Sequence, residues 1–123
     1  MRPLITLSLC AALSLGAAGM AAAAASPVSE AFGNTIISTY PDGRIAKLWL
    51  HADGTYAAEG RRHDPSSGRW SVRGEKVCLK QSKPFSAPFS FCTSMSAAKV
   101  GASWTGKAVT GEKISIHMVK GQG

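Results

Sequence analysis

From position 33 onward, apolar and polar residues change places at every second position in short runs, and each run stops at a turn rich in Gly, Pro or Asp. A period of two puts alternate side chains on opposite faces of a pleated strand. In 44–50, Ala46, Leu48 and Leu50 form one set, and Ile45, Lys47 and Trp49 form the other. In 114–119, Ile114, Ile116 and Met118 share one face, and Ser115, His117 and Val119 share the other. Tyr56 and Ala58 share a face in 55–61, and Trp70 and Val72 point inward from 69–72. Val77 and Leu79 share a face in 76–81, with Cys78 opposite. The runs 33–40, 89–93 and 103–109 complete eight predicted strands.

The punctuation between these runs is chemically specific. Pro41-Asp42-Gly43 presets one dihedral and then offers glycine for the left-handed position, and Asp53-Gly54 is a hairpin signal. The segment 63–68, containing Pro65 and Gly68, reads as a loop. So does 82–88, with Pro84 and Pro88, and 94–101 reads as a loop or a turn of helix. Eight strands joined by connections too short for crossover helices predict an all-β fold. The expected form is a single small antiparallel meander, barrel-like or a sandwich.

The N-terminal residues 1–25 follow a different rule. A positive start at Arg2 precedes an apolar run from Leu4 to Leu15, then a small-residue stretch ending Ala23-Ala24-Ala25. This is the order of a secretory signal peptide with cleavage after Ala25. Its apolar core is shorter than the roughly 20 residues of a spanning helix. Residues 26–123 then form a single exported β-domain, periplasmic or secreted, with no transmembrane segment. Cys10 falls in the signal peptide, which leaves Cys78 and Cys92. An even cysteine count in a small exported domain predicts a disulfide, here stapling the hairpin of the fifth and sixth strands.

Charge adds a second feature. The mature chain carries thirteen basic and seven acidic residues, and nine of the basic ones lie between Arg44 and Lys83. Arg61, Arg62, Arg69 and Arg73 flank one loop and are expected to converge on one end of the sheet as an anion-binding patch. The expected partner is an anionic envelope component or an acidic protein. Nucleic acid is a poor partner for an exported chain, and the dense aromatic–basic interleaving of a single-strand binder is missing. Trp49 and Trp104 are candidates to line a ligand site at a barrel mouth, because small barrels either fill their interior or hold one small ligand. Only three leucines (Leu48, Leu50 and Leu79) follow residue 25, which leans towards a thin core.

No catalytic constellation emerges. His51, His63 and His117 are scattered, no G-x-S-x-G elbow is present, and no spacing suits a metal or cofactor. The segments Gly33-Asn34-Thr35, Tyr40-Pro41-Asp42-Gly43, Ala52-Asp53-Gly54-Thr55-Tyr56, Gly68-Arg69-Trp70-Ser71-Val72 and Val77-Cys78-Leu79 resemble small exported β-rich proteins of proteobacteria, of the sphingomonad type among the alphaproteobacteria. That resemblance implies an exported bacterial protein and transfers no catalytic or binding residue. The expected function is therefore a non-enzymatic envelope binding module with a basic surface. The alternatives are a lipocalin-like carrier of a small apolar ligand, or a protease-inhibitor or protein-interaction domain using the loop 82–88.

Overall fold

The computed structural model describes residues 28–95 and 98–122, so the predicted signal peptide lies outside the described residues. A short 3-10 helix, Ser29–Ala31, precedes eight strands: β1 Thr35–Thr39, β2 Ile45–Leu50, β3 Thr55–Glu59, β4 Pro65–Arg73, β5 Lys76–Lys83, β6 Phe91–Ser94, β7 Ser103–Lys107 and β8 Lys113–Val119. All pairings are antiparallel, and the sheet runs β6-β5-β4-β3-β2-β1-β8-β7. Since β8 returns to pair with β1, the meander curls round until its two edge strands, β6 and β7, face each other. The result is a nearly closed barrel, the barrel-like form of the expected all-β meander.

The seam between β6 and β7 is held by side chains. The Trp104 indole N–H on β7 donates to the Ser94 carbonyl on β6 at 3.1 Å. A side chain at Gly106 of β7 would begin 3.5 Å from the Thr93 hydroxyl of β6 and 2.9 Å from Ile116. Glycine at this position makes room for the Ile116 side chain of β8 beside the seam.

Alternation decides which face is inside. Leu50, Tyr56, Val77, Ile114, Ile116 and Met118 are buried, with Leu48, Ala58, Leu79 and Trp104 packed against them. One end of the barrel is plugged. Val28 and Ala31 from the 3-10 helix are fully buried there, with Met95 and Ala98 from the β6–β7 connection. Phe32 packs on Trp70 with ring centroids 5.8 Å apart, and the Trp70 indole N–H donates to the His51 carbonyl at 2.8 Å. Cys78 and Cys92 sit directly opposite each other on β5 and β6 and form the predicted disulfide.

Several strand boundaries differ from the sequence reading, among them β5, which runs to Lys83 inside the predicted loop 82–88, and three of the differences change the picture most. The predicted loop 63–68 is mostly strand, because the turn falls earlier. The Gly60 N–H donates to the Asp64 carbonyl and the His63 N–H to the Gly60 carbonyl, with His63 itself in the left-handed region. Pro65 then opens β4, a position where its missing N–H is tolerated. Second, β6 begins at Phe91, and Phe89 is exposed in the loop before it. Third, β7 ends at Lys107, which leaves Val109 exposed in the following turn. In the segment 94–101, the described residues form a turn closed by the Ala102 N–H on the Lys99 carbonyl.

Candidate functional site

The plugged end contrasts with the other, where the β1–β2, β3–β4 and β7–β8 turns and the β5–β6 loop meet. A cavity of about 260 Å³ runs inside the barrel from Met95 at its floor to Tyr40, Gly60 and Val109 at this open end. Its wall is mainly Ile36, Leu48, Leu79, Phe91, Ile114 and Ile116, and Ser38, Ser66 and Thr93 add a few hydroxyls. The space arises from volume that is missing at inward positions. Ala46, Ala58 and Ser66 stand where bulky side chains would fill a barrel of this size, and each lines the cavity.

The rim carries a strap of charge. Arg61, from the β3–β4 turn, lays its guanidinium 4.1 Å from the centroid of the Tyr40 ring. It also donates to Glu112 of the β7–β8 turn at 2.8 Å and to Asp42 of the β1–β2 turn at 3.4 Å. One cation therefore ties three turns together across an aromatic ring that lines the cavity. The Thr110 hydroxyl, then Arg61, holds the Glu112 carboxyl below the usual carboxylate range. The same pairing raises Arg61 above its ordinary value. In the β2–β3 turn at the plugged end, the hydroxyl and then the N–H of Thr55 lower Asp53.

These carboxylates give stability a pH dependence of defined sign. A folded-state value below the unfolded one contributes fully above the unfolded carboxylate range, near pH 4, and is lost as pH falls through the lower folded value. The urea midpoint of the wild type is expected to exceed that of an Asp53→Asn/Glu112→Gln double variant at pH 6. The gap should close progressively below about pH 4. A gap that stayed constant from pH 6 to pH 3 would mean that neither carboxylate is held by its partners.

The sequence-predicted anion residues do not converge. Arg61 and Arg62 lie in the β3–β4 turn at the open end. Arg69 is opposite Thr55 and Lys80, further along β4, and Arg73 closes β4 at the plugged end. The long β4 separates the flanking arginines that a short strand after a loop would have kept together. Of the four, Arg61 and Arg62 are at the open end, and Arg61 is the one that contacts Tyr40, Asp42 and Glu112 there.

The two tryptophans part as well. Trp49 is on the outer face, opposite Ala57, and its indole N–H donates to the Thr35 hydroxyl at 2.9 Å. Trp104 packs against the core at the seam. Neither is among the residues lining the cavity. His51, His63 and His117 are far apart, in two turns at opposite ends and on β8. Among the described residues, no group of three metal-ligating side chains is assembled. No helix among them is long and apolar enough to cross a membrane.

Tyr40, Asp42 and Glu112 were missed by sequence reasoning. They come from separate turns, and Arg61 and Glu112 are 51 positions apart. The traceable signal was the set of small residues at inward positions of otherwise apolar strands. Protein-family models, curated proteins and solved structures were compared with the chain, and none of them matches it.

Proposed function

We propose that the protein is a non-enzymatic carrier or receptor for one small, largely apolar ligand held inside the barrel. The observation that carries this reading is the 260 Å³ cavity inside the barrel, lined mainly by apolar side chains. A dry apolar cavity of about 150 Å³ accommodates benzene, which scales to about ten heavy atoms here. The few hydroxyls inside suit a ligand with at most one or two polar groups, because a buried polar atom without a partner costs roughly 1–3 kcal/mol. The Cys78–Cys92 bond is compatible with an oxidising compartment outside the cytoplasm. Together with the signal-like residues 1–25, it supports an exported protein.

Naphthalene, with ten carbons, is a suitable fluorescent probe. At roughly 0.6 kcal/mol per atom, its Kd should be in the tens of micromolar at about one molecule per protein. Ala58→Phe fills the cavity from one wall. It should weaken binding more than ten-fold while leaving near-UV circular dichroism unchanged. No saturable binding by the wild type, or full binding by a folded Ala58→Phe variant, contradicts the reading.

The sequence-based preference for a basic anion-binding surface has less support, since its four arginines are dispersed over both ends of the barrel.

A further inference from the structure

The open end carries more than a cavity. The three most exposed large hydrophobic side chains among the described residues are Phe85 (64%), Phe89 (72%) and Val109 (74%). All three are at this end. Phe85 and Phe89 are in the β5–β6 loop, and Val109 is in the β7–β8 turn. Because β6 and β7 face each other across the seam, that loop and that turn are neighbours on the rim. Val109 also lines the cavity mouth.

The loop that presents the two phenylalanines is braced. The Ala87 N–H donates to the Gln81 carbonyl at 3.0 Å, and the Gln81 side-chain amide donates to the Phe85 carbonyl at 3.2 Å. The Lys80 ammonium donates to the Ala87 carbonyl. Its backbone is thus held while both rings stand in water. Burying a Phe ring is favourable, and this loop leaves two of them exposed.

Around these tips stand Arg62, Lys83, Lys107 and Lys113, all exposed and without an ion-pair partner among the described residues. Lys107 and Lys113 are directly opposite each other on β7 and β8. Like charges in that relation destabilise a sheet unless an outside anion compensates them. Two aromatic rings on one loop and an aliphatic side chain on the neighbouring turn thus share the open end with four exposed cations. They suit a broad, soft, anionic surface, where rings enter the apolar boundary and ammonium groups meet phosphates.

We infer that the open end of the barrel docks on an anionic phospholipid bilayer, with Phe85, Phe89 and Val109 inserted and the four cations against the headgroups. Docked in this way, the cavity mouth faces the lipid, so a small apolar ligand passes between membrane and barrel without crossing water. This rests on the cavity reading for what is carried, while the docking itself is read from the rim alone.

Co-sedimentation with vesicles tests it, using protein recovered after export so that residues 1–25 are processed as the cell processes them. Wild-type protein should bind vesicles of equal parts phosphatidylglycerol and phosphatidylcholine at low salt, and should bind phosphatidylcholine alone far more weakly. Phe85→Ser/Phe89→Ser should lower the partition coefficient at least ten-fold. Lys107→Gln/Lys113→Gln should lower it by roughly 25-fold, at about five-fold per cation. Both variants should bind naphthalene in solution like the wild type, so loss of docking and failure of the cavity reading are separable. Equal binding to both vesicle types, or unchanged binding by either variant, overturns the proposal. So does a wild-type dimer that Phe85→Ser/Phe89→Ser dissolves while vesicle binding is absent, because the patch is then a contact between copies of the chain.

Discussion

Gly68→Ala is expected to lower stability by about 3 kcal/mol or more and to reduce the melting temperature by about 12 °C or more. Gly68 is buried in β4 at an irregularity where the register with β5 shifts between Ser67 and Gly68. A β-carbon there would lie 2.0 Å from the Lys80 carbonyl oxygen and 2.9 Å from the Gln81 α-carbon. Both are backbone atoms of the paired strand, so no side-chain rotation relieves the clash. The strands must separate at the most extensive pairing in the barrel. Gly74→Ala is the informative contrast. Gly74 has a φ of +64°, which a side chain adopts with strain, but nothing lies within 4 Å of the added carbon. Its cost should stay near 1–2 kcal/mol. Urea denaturation of the two variants ranks the effects, and a Gly68→Ala loss no larger than that of Gly74→Ala contradicts this account of β4.

Loss of the disulfide should be nearly as damaging. The Cys78–Cys92 bond closes a loop that bears on stability by roughly 3 kcal/mol through the unfolded chain. Small domains have only about 5–15 kcal/mol in total. Its position adds a local consequence. The bond ties β6, a four-residue edge strand that pairs by backbone hydrogen bonds with β5 alone, while the seam with β7 is bridged by the Trp104–Ser94 hydrogen bond. A Cys78→Ser/Cys92→Ser variant should lose about 3 kcal/mol in urea unfolding. Its amide exchange should accelerate first at Phe91 and Thr93. Both residues line the cavity, so naphthalene binding should weaken in the same variant. A midpoint insensitive to reductant in the wild type would contradict this role.

The outline of the barrel was legible because its strands are short and two-sided. Ile114, Ile116 and Met118 are buried as their spacing predicts, and Cys78 meets Cys92 across one hairpin. The first half of β4 was hidden because Pro65, Ser66, Ser67 and Gly68 are turn-forming residues by composition. Pairing on both sides overrides that preference. Trp49 shows a different limit. Alternation separated it from Leu48 and Leu50, but which set faces inward is decided by the curvature of the whole sheet. A hollow interior is harder still to read, since Ala46, Ala58 and Ser66 become a void only when opposite walls fail to fill the space they leave. The rim strap of Arg61, Tyr40, Asp42 and Glu112 is a product of closure, which brings β8 back beside β1.

The central claim is that the interior of the barrel is the binding site. Its most direct test is an NMR measurement of intermolecular nuclear Overhauser effects in the naphthalene complex. Contacts are expected from the probe to the methyl groups of Ile36, Leu48, Leu79, Ile114 and Ile116 at one molecule per barrel. Contacts confined to Phe85, Phe89 or the outer face around Trp49, with none to those methyl groups, would contradict it.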